Sequence, residues 1–284
     1  MGPHRRSRSE RPNTTRCAIT PRDVEMLAAV GRMKIASTRH LRVFFGDRST
    51  LARRIAKLFA AGLVVVWNPS QNGENRITLT PRGLRLAVAH GFAADDLHVA
   101  RRVERDDVHL ARLNDLRIAF VLASRARPEI EVAQFTSDHD LRRQLGVKAA
   151  RRDVVIPDAL VMLTAPGYEI RVALELDLAT ETGRQWSRKV RTTVERYRQG
   201  RDLLGLAHPW RALLVAPSEI RLRHLARVTA EEGGGELWIG ALLGDVIADP
   251  YGPKYALVGE IAKTARDGKL SLARCIVPAP AVSS

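Results

Sequence analysis

From Thr20 onward, apolar residues recur at helical spacing. Val24, Leu27, Ala28 and Val30 form one stripe that ends at Gly31. It follows a Thr20-Pro21 start in which threonine caps the helix and proline takes its first position. A second short helix follows Ser37, with Leu41, Phe44 and Phe45 inward, and Gly46-Asp47 breaks it. A third begins after Ser49, with Leu51, Ile55, Leu58 and Phe59 on one side and Gly62 as its stop. Two short strands, at 63–67 and 76–80, flank a loop rich in Pro, Asn and Gly, which is a hairpin signal. Thr80-Pro81-Arg82-Gly83 opens a further helix to about His90. Three short helices followed by a hairpin is the order of a winged helix-turn-helix, in which the third helix enters the major groove.

The pattern then changes. A charged connector at 93–104 leads into a long amphipathic helix over 106–124, with Leu110, Leu113, Leu116 and Phe120 on its apolar side. Asn114-Asp115 could cap this helix or brace it against the sheet that follows. A strand is expected at 130–135 and a short basic stretch at 141–148. Strands at 154–163 and 169–177 follow, joined by a turn at Pro166-Gly167. After them come a helix at 183–199, a strand at 212–216, a helix at 218–230 and a strand at 236–239. This order describes an α/β sheet flanked by helices, and α+β for the chain as a whole. The expected organisation is a basic arm over 1–18, a winged helix over 19–92, the connector, an α/β domain over 105–246 and a C-terminal extension over 247–284. Periodicity is weak after Pro250.

The candidate chemistry sits on two of those strands. Ile156-Pro157-Asp158 delivers one carboxylate, and Leu174-Glu175-Leu176-Asp177 delivers two more at i and i+2. Side chains two apart on a strand share a face. With the strands adjacent, Asp158, Glu175 and Asp177 would form an oxygen-only site suited to Mg²⁺ or Mn²⁺, of the kind that polarises a phosphodiester. The other reading is three solvated acids at strand ends. Acids inside apolar strands require a partner, which favours a site. His109, with apolar neighbours, reads as a packed histidine. Trp186, Trp210 and Trp238 read as core residues.

Charge narrows the partners. Lys and Arg number 46 against 31 Asp and Glu, a net charge of +15. That field favours polyanions, and the third helix carries Thr50, Arg53, Arg54 and Lys57 opposite its apolar stripe, with Arg76 on the hairpin. These five are the expected contacts to double-stranded DNA. A membrane partner is not expected, because no apolar run approaches the ~20 residues needed to span a bilayer. Cys17 and Cys275 have no metal-ligand spacing, and residues 1–16 lack the apolar core of a secretory signal, so a cytoplasmic setting is expected. An aromatic content of 5% argues against a base-stacking single-strand binder.

An Ile-Pro-Asp strand, a Glu-x-Asp strand and a helix bearing Lys189 and Tyr197 together resemble the PD-(D/E)xK nucleases. That resemblance implies a restriction-endonuclease-like sandwich with a mixed central sheet, acids that bind Mg²⁺ and a lysine that steadies water or phosphate. This chain departs from the pattern where Asp177 stands in place of that lysine. Lys189, on the following helix with Trp186, Thr193 and Tyr197 near it, is the candidate replacement. Asp177 could instead accept a hydrogen bond from Arg184 or Arg188. Over roughly 20–240 the chain is similar to the replication-relaxation family of plasmid and mobile-element proteins. The similarity rests on 109–116 (HLARLNDL), Pro157-Asp158-Ala159-Leu160, 174–177, Thr180-Glu181-Thr182 and the Lys189–Tyr197 helix. It implies replication control or mobilisation, with a relaxase or replication protein as partner; a homodimer is also open. Three readings stand at this point: a DNA-binding protein with a nuclease-like domain, a metal-dependent endonuclease using Asp158, Glu175, Asp177 and Lys189, and a regulator without catalysis.

Overall fold

A capping box opens the first helix and shows how the N-terminal part is held. In the computed structural model, which describes residues 18–67, 74–100, 107–146, 155–178, 182–264, 268 and 270–276, helix α1 spans Pro21–Met33. The Asp23 amide donates to the Thr20 hydroxyl at 3.3 Å, and the Asp23 carboxylate accepts from the Thr20 amide at 2.9 Å. The other oxygen of Asp23 accepts from Arg54 Nη1 at 2.5 Å, so a fully buried aspartate ties α1 to helix α3 (Arg48–Ala60). The expected basic arm (except Ala18), Cys17, the wing tip at 68–73, residues 101–104 of the connector, and Thr180-Glu181 lie outside the described residues.

The chain divides into two units, Met1–Asn114 and Asp115–Ser284. The first runs α1, β1 (Ala36–Ser37), α2 (Thr38–Phe45), α3, β2 (Val64–Trp67), β3 (Arg76–Leu79) and α4 (Pro81–Ala89). Its antiparallel sheet has the order β1-β3-β2. Three helices and a hairpin appear in the expected order. Strand β1, two residues long, is too short to show an alternation in sequence. Leu27, Leu41, Leu51, Leu58, Ile77 and Leu79 form the buried centre.

Two local expectations are corrected. Helix α3 starts at Arg48 rather than after Ser49, because Asp47 is the residue that caps it: Oδ1 accepts from the amides of Ser49 at 2.8 Å and Thr50 at 3.1 Å. The Ser49 hydroxyl and these amides hold the Asp47 carboxyl far below the ordinary range. Phe59, expected inside, is 53% exposed, because the buried stripe of α3 consists of Leu51, Ile55 and Leu58. At the start of α4 a tight approach explains Gly83: a Cβ there would lie 2.0 Å from the Leu63 carbonyl oxygen.

Helix α5 (Asp107–Ala126) crosses the division between the units. Asn114 Nδ2 donates to the carbonyls of Met33 at 3.1 Å and Ile35 at 3.0 Å, satisfying the end of α1.

The second unit is built on a six-stranded sheet, in the order β4 (Glu131–Ser137), β5 (Ala159–Ala165), β6 (Tyr168–Leu176), β7 (Arg211–Ala216), β8 (Trp238–Leu242) and β9 (Tyr255–Leu257). Strands β6, β7 and β8 are parallel and the remaining pairings antiparallel, giving the mixed sheet expected. Connecting helices are α6 (Asp138–Leu145), α7 (Gly183–Arg198), α8 (Glu219–Glu231), α9 (Leu243–Ala248) and α10 (Val258–Lys263). Strand β5 starts at Ala159, later than expected; the residues before it include Pro157, which has no amide to offer a ladder. Within the expected C-terminal extension, β9 pairs with β8 at the edge of the sheet, and Tyr255 is buried with its hydroxyl on the Pro250 carbonyl at 2.7 Å.

One face of this sheet carries Leu160, Ala173, Ala212, Leu214, Ala216 and Trp238. It packs with Trp186, Val190 and Val194 of α7, and with Leu222, Leu225 and Ala226 of α8. The alternate residues Val161, Val172, Leu174, Leu213 and Val215 are buried as well, so the strands read as continuous apolar runs. Glu175 and Asp177 have the parity of Ala173. They therefore emerge on the face that α7 and α8 cover.

Two predictions concern the first unit. Burial alone would raise the Asp23 carboxyl, but hydrogen bonds from Thr20 and the Arg54 guanidinium outweigh it and hold it below its ordinary 3.8. Its stabilising contribution is therefore complete above that pH and is lost as pH falls through the lower folded value. Arg54→Ala should cost about 3 kcal/mol at neutral pH, and thermal melts should show the gap to wild type narrowing below pH 3.8. Gly83→Ala should cost roughly 1–3 kcal/mol or more in urea unfolding, because the Leu63 carbonyl is backbone and yields little.

Candidate functional site

The acidic strand end is built by three elements of the second unit. Asp158, just before β5, points an oxygen at the end of β6, where Oδ2 accepts from the Leu176 amide at 2.7 Å. Glu175, within β6 and opposite Leu214 of β7, is 2% exposed. Lys189 of α7 donates to its Oε2 at 2.8 Å. Asp177, one residue past β6, is 3% exposed, and its amide donates to the Val215 carbonyl. Arg221 of α8 grips both its oxygens, Nε to Oδ2 at 2.6 Å and Nη2 to Oδ1 at 2.9 Å. This is the parallel two-bond pairing that makes Arg–carboxylate contacts strong and directional.

Lys189 thus reaches Glu175 from α7. Trp186 and Thr193 beside it are buried, and its ammonium stands 5.7 Å from the Trp186 ring centre. Trp186 is fixed in turn by its indole N–H on Thr229 at 2.9 Å and an edge contact with Trp238. For Asp177 the sequence offered a hydrogen bond from Arg184 or Arg188 as one alternative; the structure pairs it with Arg221. Nothing local in the sequence marks Arg221, which lies 44 positions on among Arg223, His224 and Arg227 of the same helix. His109 is half-buried.

Each of the three acids accepts a hydrogen bond from a protein donor. A divalent ion at this place would need oxygens from several carboxylates turned toward one point. Here Asp158 accepts from a strand amide, Glu175 from Lys189 of α7 and Asp177 from Arg221 of α8. Among the described residues no group of three His, Cys, Asp or Glu side chains is placed to hold a metal ion.

The expected DNA-contact residues lie in the first unit. Helix α3 has no acidic residue, and Arg48, Ala52, Arg53, Ala56 and Lys57 are exposed along it. Arg53 Nη2 lies 3.5 Å from the Thr50 hydroxyl, and Lys57 donates to the Ala18 carbonyl at 3.0 Å. Arg54 is committed to Asp23 and Thr20. Arg76 sits at the start of β3, paired across to Ser37 and Trp67.

A family model described as replication-relaxation matches residues 27–204, more than half of the chain, and takes in α3, both acidic strand ends and Lys189. The chain belongs to the replication-relaxation family. No curated protein matches it. Among solved structures, the restriction endonuclease FokI is similar at 10% identity with a TM-score of 0.26, covering 80% of this chain and 42% of that one. The same enzyme bound to DNA gives 10% identity and 0.27, covering 88% and 47%. The chain thus spans less than half of those structures. No helix among the described residues is long and apolar enough to cross a membrane.

The geometry makes Asp158 testable as a backbone acceptor. Asp158→Ala leaves the Leu176 amide without its partner and should cost about 1–3 kcal/mol, whereas Asp158→Asn keeps a carbonyl oxygen and should cost less. Hydrogen exchange at Leu176 should quicken in the alanine variant alone.

Proposed function

We propose that this replication-relaxation protein binds duplex DNA through α3, and that it acts in the replication control or mobilisation of a plasmid or other mobile element. Its setting in this reading is the cytoplasm, beside a relaxase or replication protein. The observation that carries the proposal is the acid-free, exposed face of α3. Arg48, Arg53 and Lys57 alternate there with Ala52 and Ala56, whose small side chains let the backbone come close to a groove. Cations of this kind suit phosphates and guanine edges. The net charge of +15 adds long-range attraction for a polyanion. The family supports the setting, and the winged-helix order of the first unit supports α3 as the reading helix.

Arg54 has a different part in this reading. Its buried pairing with Asp23 fixes the orientation of α3, so substituting it tests folding and not DNA contact. Arg53 and Lys57 are the residues to change. In fluorescence anisotropy with a duplex, Arg53→Ala/Lys57→Ala should weaken binding at least tenfold. It should also lower the slope of log affinity against log salt by about 0.9 for each phosphate no longer neutralised. Unchanged affinity and slope in a folded double variant would remove α3 from the interface.

A further inference from the structure

We infer that Lys189 and Arg221 take the place of a divalent cation at the acidic strand end, so that the second unit carries its own counter-charges and holds no Mg²⁺ or Mn²⁺ there. Glu175 and Asp177 are both almost completely buried, two positions apart on one face at the end of β6. Two carboxylates removed from water need compensating positive charge, from an ion or from side chains. The chain supplies it from two helices: an ammonium on Glu175 at 2.8 Å and a guanidinium fork on Asp177 at 2.6 and 2.9 Å. Asp158 is met by a backbone amide. A divalent ion added to this set would bring two further positive charges to three acids of which Glu175 and Asp177 already have cations at hydrogen-bonding distance, and would compete with those cations for the same oxygens.

Each cation is also set by the helix that carries it. The Arg221 amide donates to Ser218, the cap of α8, at 3.3 Å, so this arginine projects from the first turn toward the end of β6. Lys189 lies along Trp186, itself locked to Thr229. The two pairs therefore connect the end of β6 to α7 and to α8, a structural task that a bound metal would otherwise share.

The test uses the full chain. Titration calorimetry with MnCl₂ should show no saturable heat, and the melting temperature should be the same in Mn²⁺, Mg²⁺ and EDTA. A bound ion at ~100 times its Kd would instead raise it by several degrees. Arg221→Met strands a buried carboxylate and should lower the melting temperature by roughly 10 °C. Asp177→Leu/Arg221→Met removes both charges and should recover most of that loss. If Arg221→Met does not fold at all, folding of the double variant still supports the inference. A double variant no better than the single one overturns it. So does saturable Mn²⁺ binding in the wild type that disappears in Asp158→Asn, or Mn²⁺-dependent cleavage of supercoiled plasmid that disappears with it. These readouts are independent of DNA affinity, so they stand or fall separately from the role given to α3.

Discussion

Burying two carboxylates beside each other at the end of β6 is the constraint around which the second unit is arranged. Neither Glu175 nor Asp177 retains more than a trace of solvent, and each must be met by a positive charge at hydrogen-bonding distance. The answers come from two different helices, Lys189 on α7 and Arg221 on α8. The sheet face that these helices cover is otherwise apolar, built from residues such as Ala173, Leu214 and Trp238 against Trp186, Val190 and Leu222. Apolar packing supplies most of the adhesion and has no direction of its own. The ion pairs add direction, because a guanidinium fork accepts a carboxylate in one plane.

The first unit uses the same device once. Asp23 closes the capping box of α1 with one oxygen and accepts Arg54 with the other, so a single buried acid both starts one helix and places another. That division of labour leaves neighbouring cations for the outside. Arg53 and Arg54 are adjacent in sequence, yet one is exposed on α3 and the other is spent on the interior.

Much of this was legible in sequence. Thr20-Pro21 and Thr80-Pro81 mark true helix starts, the Pro166-Gly167 turn joins β5 to β6, and the apolar runs at 169–177 and 212–216 are central strands. These signals are local, set by dihedral preference and period. The readings that failed are those in which a local signal had a competitor. Asp47 outcompeted Ser49 for the cap of α3, and Phe59 fell just outside the stripe it was assigned to. The weakly periodic tail became β9 and α10, where edge pairing with β8 made up for a faint pattern.

For the candidate site, the sequence by itself determined which carboxylates share a face, because period two on β6 sets Glu175 and Asp177 together, and it placed Lys189 on the helix that follows. It also determined the strong positive charge and the cationic composition of α3. Only the tertiary structure decided what those acids meet. Arg221 is 44 residues from Asp177, and their pairing depends on where α8 lands on the sheet. The same holds for Arg54 against Asp23, a pairing across 31 positions. Spacing along a chain fixes the direction in which a side chain leaves its own element. Whether it finds a counter-charge, a metal or a phosphate depends on which other element packs opposite, and that is settled by the packing of the whole unit.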